Sequence, residues 1–328
     1  MSILVTGSIA TDHLMTFPGK FAESLMVEQL DRLTLSFLVE DLVIRRGGCA
    51  ANMSFGMACL GVEPVLVGAV GEDFVDYRSW LERHGVDCRS IRVSETRHTA
   101  RFVCTNDSTM AQIASFYAGA MSEAREIELA PIVARVGEPD LVVISPNDPE
   151  GMLRHTDECR TRGYPFAADP SQQVHWSDGA LIRQLVDGAT YLFGNDYEAA
   201  LTEQKTGWGA EEILDRVDTR IVTHGDKGVQ IHRKTEPVID VPAVPARAAV
   251  EPTGVGDAFR AGFVSGVGWG LGLERSAQVG CLLATYVVET VGTQEYVLSR
   301  DAVLERFAAA YGDEAAAEVA PHLHCPRP

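Results

Sequence analysis

The sequence predicts an α/β fold: a mostly parallel sheet sandwiched by helices, with a small β-sheet lid. Three observations predict it. From Val65 onward, short apolar runs alternate with stretches of helical spacing. Two earlier stretches alternate residue by residue instead, with β-branched and aromatic side chains, so they read as extra strands. Several apolar runs end in glycine turns that lead into helices. Strands separated by helices run parallel and are covered on both faces.

Composition narrows the class. A chain of 328 residues with 46% hydrophobic residues can bury a large core. We read residues 1–328 as one domain with lid insertions at about 14–46 and 98–118, and 321–328 as a loose tail. A net charge of -18 repels nucleic-acid backbones and anionic membranes, so neither is expected as a partner. The seven cysteines are an odd number with no CxxC pair, which fits reduced thiols in a cytoplasmic protein. No run of 18 apolar residues is present, and Met1 to Gly7 leads straight into a strand, so a soluble protein is expected.

In chain order, Ile3 to Thr6 is a first buried strand. Ser8 and Asp12 follow on the loop leaving its end, where ligands bind in open α/β sheets, although a surface loop Asp fits the position equally well. Leu25 to Arg46 shows alternation through Leu33, Leu35, Phe37 and Val39, with Ser36 on the other face. Thr99 to Thr105 with Met110 to Phe116 would complete that small sheet. Between them, RGGCAANMSFGMACLG (46–61) makes a turn at Gly47 and Gly48. A helix of small residues then carries Asn52 in its first turn, its amide available to hydroxyls.

Strands are expected at Val65 to Val70, Asp140 to Ser145, Phe166 to Asp169 and Tyr191 to Gly194. Helices are expected at Phe74 to His84, Pro149 to Arg162 and Leu181 to Asp187. In NDYE, Asn195 and Glu198 share a face at a helix start, able to act together on a ligand or to form an ordinary capping box. RIVTHGDKG is a strand running into a turn, with Thr223, Gly225 and Gly228. EPTGVGDAF then sets Gly254, Val255, Gly256 and Asp257 at a helix start. Free amides and the macrodipole there suit a phosphate, and Asp257 is placed to take a proton, or merely to cap. Helices follow at Ala258 to Trp269, Leu273 to Glu289 and Asp301 to Tyr311.

EPTGVGDAF resembles the C-terminal signature of the ribokinase-like (PfkB) carbohydrate and nucleoside kinases, and the GG-x-A-x-N arrangement of 47–52 resembles their N-terminal one. The resemblance implies MgATP-dependent phosphorylation, with Asp257 as base and the amides of Gly254, Val255 and Gly256 as anion hole. It further implies that Asp12, Gly48 and Asn52 hold sugar hydroxyls, that Asn195 and Glu198 organise magnesium through water, and that Thr223, Gly225 and Gly228 form the nucleotide loop. Val291 to Gln294 would complete the adenine pocket. Glu251 stands where the family usually has Asp, at a position that helps hold a monovalent cation such as K+ in many members. From VTGSIATDHLM through LSFLV, AQIASFY, DPSQQ and GTQE, the chain is most similar within the family to the actinobacterial adenosine kinases. Ser8, Ser36, Phe102, Phe116, Gln172 and Gln173 would then address the nucleoside, adenosine would be converted to AMP in purine salvage, and lid strands would pair two subunits in a homodimer. No helix between Gly119 and Asp140 looks long enough to cover the lid instead. A sugar kinase of ribokinase or fructokinase type, or a non-catalytic sensor on the same fold, is the alternative.

Overall fold

A computed structural model describes residues 2–24 and 36–325. Its strands are β1 (Ile3–Thr6), β2 (Ala10–Thr16), β3 (Asp41–Gly47), β4 (Val65–Gly71), β5 (Ile91–Ser94), β6 (Ala100–Asn106) and β7 (Gln112–Tyr117). They continue with β8 (Leu141–Ile144), β9 (Phe166–Ala168), β10 (Tyr191–Asn195), β11 (Thr219–Thr223), β12 (Val229–His232) and β13 (Ile239–Val241). The large sheet runs β13-β12-β11-β10-β9-β8-β1-β4-β5, parallel except at β12, which is antiparallel to both neighbours. The smaller sheet runs β3-β2-β6-β7. This is the expected α/β architecture with a separate small sheet. Strands β5, β12 and β13, at the two ends of the large sheet, are additions to the strands expected from the sequence.

The period of two along each strand explains the two cores. Ile3 and Val5 of β1, Leu66 of β4 and Phe193 of β10 face one side, packed with the helices Cys49–Cys59, Val255–Gly268 and Leu273–Val288. Leu4, Val67, Val142 and Leu192 face the other, packed with Leu129–Val136, Pro149–Arg162 and Gly179–Val186. Helices Val255–Gly268 and Leu273–Val288 meet almost backbone to backbone, since a Cβ on Gly262 would lie 2.7 Å from the Gly280 Cα. That contact fixes the turn before Val255 against the rest of the protein.

Several expectations are corrected. Asp12 lies on lid strand β2 rather than on a loop, because the chain after Ile9 goes straight into the small sheet. The strand of the first lid stretch is Asp41–Gly47, and Phe37 and Val39 precede it outside regular structure. Leu33, Leu35 and the remainder of 25–35 lie outside the described residues. The segment 321–325 is no loose tail: Leu323 is fully buried, the His324 amide donates to the Leu60 carbonyl at 3.2 Å, and Arg300 Nε donates to the Leu323 carbonyl at 3.3 Å. Residues 326–328 lie outside the described part. A helix does exist between Gly119 and Asp140, Leu129–Val136, but its buried Leu129, Ile132 and Val133 belong to the main core and not to the lid.

Among the described residues no helix is long and apolar enough to cross a membrane. All seven cysteines are unpaired.

Candidate active site

A cavity of about 850 Å³ opens between the small sheet and the carboxyl ends of the parallel strands. Ser8 follows β1, Asn147 follows β8, Ser171 to Gln173 follow β9, Asn195 ends β10 and Thr223 ends β11, all lining it. Of the residues singled out from the sequence, Ser8, Asp12, Gly48, Asn52, Phe102, Phe116, Gln172, Gln173, Asn195, Glu198, Thr223, Gly225, Glu251, Gly254, Gly256 and Asp257 are brought together in its wall. Ser36, Gly228 and Val255 are not. Ser36 is exposed in the segment before β3, whereas Gly228 is a turn glycine, with φ 108° and a virtual Cβ 2.0 Å from the Val241 carbonyl oxygen.

Beside Ser8, Gly48 has φ 96°, and a Cβ there would lie 2.6 Å from the Ser8 carbonyl oxygen, so only glycine fits. The Ser8 hydroxyl accepts from the Cys49 amide at 3.0 Å and caps the helix start. Asn52 is held by three partners within the protein: Nδ2 donates to Asp257 Oδ2 at 2.8 Å, and Oδ1 accepts from Thr293 Oγ1 at 2.9 Å and Gln294 Nε2 at 3.0 Å, which leaves the second Nδ2 hydrogen for a ligand. Asn52 therefore aims the Asp257 carboxylate, and the turn holding Thr293 and Gln294 aims Asn52. Desolvation in the wall raises the Asp257 carboxyl above its ordinary value, opposed by the Asn52 hydrogen bond and the Arg260 charge.

One row across the lid carries most of its contribution. Register places Arg45, Asp12, Phe102 and Phe116 side by side on β3, β2, β6 and β7, hence on one face of the pleat, and all four line the cavity. Burial is the main cause that pushes the Asp12 carboxyl up to about 6; Glu251 adds to it and Arg45 opposes it. Arg45 Nη1 pairs with Glu251 Oε2 at 3.0 Å, and the same oxygen accepts from the Gly292 amide at 2.9 Å. The guanidinium and the amide both sit on one oxygen of this carboxylate, and no contact to the other is seen among the described residues. Glu251 ties the lid to the loops beside the anion turn.

At the phosphate end, Gly254 has φ 77° and opens the helix that presents Asp257 in its first turn. Asn195 and Glu198 do form the capping box, with Glu198 N to Asn195 Oδ1 and Asn195 N to Glu198 Oε2 both 2.9 Å, and they also line the cavity. Among the described residues no cluster of three or more His, Cys, Asp and Glu is placed to hold a metal ion. One rigidly held carboxylate suits magnesium, which keeps most of its waters and takes phosphate oxygens. Behind Glu198, Arg260 Nη2 lies 2.7 Å from Asp169 Oδ1, and burial pushes the Asp169 carboxyl up to about 7 against the opposing Arg260 charge. Arg260, Asp169 and Arg45 were not singled out from the sequence, and Thr293 and Gln294 only as part of the turn 291–294, not as partners of Asn52. Buried polar residues within a helix or turn carry no periodic signal, although an Arg inside the otherwise apolar run after Asp257 is itself an anomaly.

At the far end the wall is aromatic: Phe102 and Phe116 from the lid, with Met121 and an 84% exposed Trp176 opposite them. Gln173 Nε2 donates to the Asn147 carbonyl at 2.8 Å, which leaves its own carbonyl oxygen and its second N–H for a ligand.

Comparison with known proteins agrees with this geometry. The pattern described as pfkB family carbohydrate kinase matches residues 11–300. The nucleoside kinase of Methanocaldococcus jannaschii is 30% identical over 265 residues, 79% of this chain and 84% of that protein. The solved structure of Burkholderia thailandensis nucleoside kinase in complex with inosine has 33% identity and a TM-score of 0.81, covering 94% of this chain and 98% of that one. The same kinase has been solved in complex with ADP and inosine, with 34% identity and a TM-score of 0.80, over 94% of this chain and 96% of that one.

A carboxylate that titrates at about 6 makes binding pH-dependent in one direction. If substrate hydroxyls bind to ionised Asp12, they meet the strong carboxylate acceptor above that pH and the weaker neutral carboxyl below it. The ratio kcat/KM for the hydroxyl substrate should therefore fall below about pH 6, approaching tenfold per unit, and the Asp12→Asn variant should lack this limb. A profile still flat at pH 5 would show that Asp12 does not bind substrate in its ionised form.

Proposed function

The chain belongs to the pfkB family of carbohydrate kinases, and we propose that within it this protein is an ATP-dependent nucleoside kinase whose preferred substrate is adenosine, phosphorylated on its 5′-hydroxyl to AMP. The observation that carries this reading is the aromatic end of the cavity. Free sugars have no ring face to match Phe102, Phe116 and Trp176, whereas a nucleobase does. The carbonyl of Gln173 can accept from an amino group such as adenine carries, at the position where hypoxanthine has a carbonyl. The names of the relatives support a nucleoside over a free sugar.

In this reading Asp12, with the backbone around Gly48, holds the ribose hydroxyls, and the 5′-hydroxyl faces Asp257. Asp257 takes the hydroxyl proton as the oxygen bonds to the γ-phosphorus, while the amides at Gly254 to Asp257 accept the negative charge that develops. Thr223 and Gly225 flank the nucleotide. A magnesium ion, when bound near Asn195 and Glu198, supplies charge neutralisation of the phosphate oxygens. A non-catalytic sensor would have no need of a base aimed by Asn52.

The lid also bears on assembly. The face turned away from the cavity carries Leu42, Ile44, Ile113 and Tyr117, each 46% to 58% exposed among the described residues. We propose that this apolar face pairs with its copy in a symmetric homodimer.

A panel of nucleosides and free sugars with MgATP tests the substrate assignment. Adenosine is expected to exceed inosine by about tenfold in kcat/KM, the worth of one hydrogen bond of about 1.4 kcal/mol, and to exceed ribose and fructose by more. Turnover of free sugars alone would refute it. For the dimer, light scattering at micromolar concentration should give twice 35.5 kDa for the wild type and 35.5 kDa for Ile44→Asp. A wild type already at the single-chain mass contradicts the assembly.

A further inference from the structure

Gly256 is not explained by its backbone, which has no positive φ. Its cause is one turn further along the helix. A Cβ at position 256 would lie 2.7 Å from Nη1 of Arg260, so the space beside the anion turn is filled by a guanidinium. Arg260 lines the cavity with only 7% of its side chain exposed, and its buried Nε has no hydrogen-bond partner. Asp169 Oδ1 lies 2.7 Å from Nη2 on one side, and Glu198 Oε2 lies 3.9 Å from it. The other two arginines of the cavity wall are engaged elsewhere: Arg45 with Glu251, and Arg46 over the Trp80 ring at 4.1 Å. The phosphate end thus contains a buried planar cation, held from behind by Asp169, with donor capacity that the protein does not use. An unsatisfied guanidinium is costly to bury unless a ligand completes it.

We propose that Arg260 is a catalytic residue of the kinase: its guanidinium donates to the transferring phosphoryl group beside the amides of Gly254 to Asp257, and Asp169 is the positioning residue that aims it. The inference rests on the phosphoryl-transfer reading above. In the step concerned, the substrate hydroxyl oxygen forms a bond to the γ-phosphorus and its proton passes to Asp257. The bond from the γ-phosphorus to the bridging oxygen breaks, and its electron pair leaves on ADP. Negative charge is spread over the three equatorial oxygens as this happens, and a planar fork of donors at their side lowers the barrier. Arg260 thereby acts in cis, from within the same helix that carries the base, and the lack of a side chain at Gly256 gives it access.

Removal of Arg260 alone strands Asp169 in the interior, so the informative variants are Arg260→Lys and the double variant Arg260→Gln with Asp169→Asn, which discards both charges together. Three readouts are needed: kcat with the substrate that the wild type turns over, affinity for MgADP, and affinity for MgADP with aluminium fluoride, a mimic of the charged transferring group. We expect the double variant to bind MgADP within about threefold of wild type while kcat falls on the order of 10³-fold and the aluminium fluoride complex is lost. Arg260→Lys, which keeps the charge against Asp169 but not the fork, should lose about tenfold or more in kcat. A kcat within about fivefold of wild type in either variant would overturn the proposal. So would equal losses in kcat, MgADP affinity and thermal stability, which describe a structural ion pair only. If the wild type turns over sugars and not nucleosides, the same variants are read on the sugar, so that failure of the substrate assignment and failure of this proposal remain distinct.

Discussion

The hydrogen bond from Asn52 Nδ2 to Asp257 Oδ2, 2.8 Å long, joins residues 205 positions apart in sequence, and the rest of the site is arranged around it. It links the first turn of the helix after Gly48 to the first turn of the helix after Gly254. Each helix start is fixed by a glycine at positive φ. Each is held in turn by close packing, the first against β1 and β4 and the second against Leu273–Val288 through Gly262 and Gly280. A carboxylate that must serve as a base needs a defined direction more than a strong partner, and Asn52, fixed by Thr293 and Gln294, provides it without the charge that would suppress its basicity.

The lid is built on a different principle. Its outer strands β3 and β7 are exposed on both faces, and its link to the main domain beside the anion turn is electrostatic, through Arg45 and Glu251. The pleat brings Arg45 of that ion pair, Asp12 and the aromatic Phe102 and Phe116 into one cross-strand row. Any movement of the lid therefore moves all four together, so closing over a ligand and desolvating Asp12 are the same event.

Most of the architecture was legible in the sequence, because buried parallel strands and amphipathic helices carry periodic patterns: the helix Pro149–Arg162 was bounded to the residue, with Asp148 as its cap and Gly163 beyond it. The glycine turns announced themselves through the steric demand that only glycine meets, as at Gly48 and Gly254. Less legible were residues whose meaning lies in tertiary contact. Asn52 was placed correctly in the first turn, but nothing local says that its amide is also tied to Asp257, Thr293 and Gln294. Asp12 was put on a loop because a turn at Gly7 and Ser8 looks the same whether a strand or a loop follows. The docking of Leu323 could not be read from a short Pro-flanked end, because the neighbouring His324 amide pairs with Leu60, more than 200 residues away in sequence. Arg260 is the clearest omission, a cation in an apolar helix face whose reason, the carboxylate of Asp169, comes from another strand end.

The central claim is that Asp257, aimed by Asn52, is the base of phosphoryl transfer. Its most direct test is Asp257→Asn, which keeps the size of the side chain and can still pair with Asn52. Substrate binding, followed by calorimetry, should stay within about threefold of wild type while kcat falls by about 10² to 10⁴, the usual contribution of a positioned acid or base. A variant that turns over within about twofold of the wild-type rate would contradict the account.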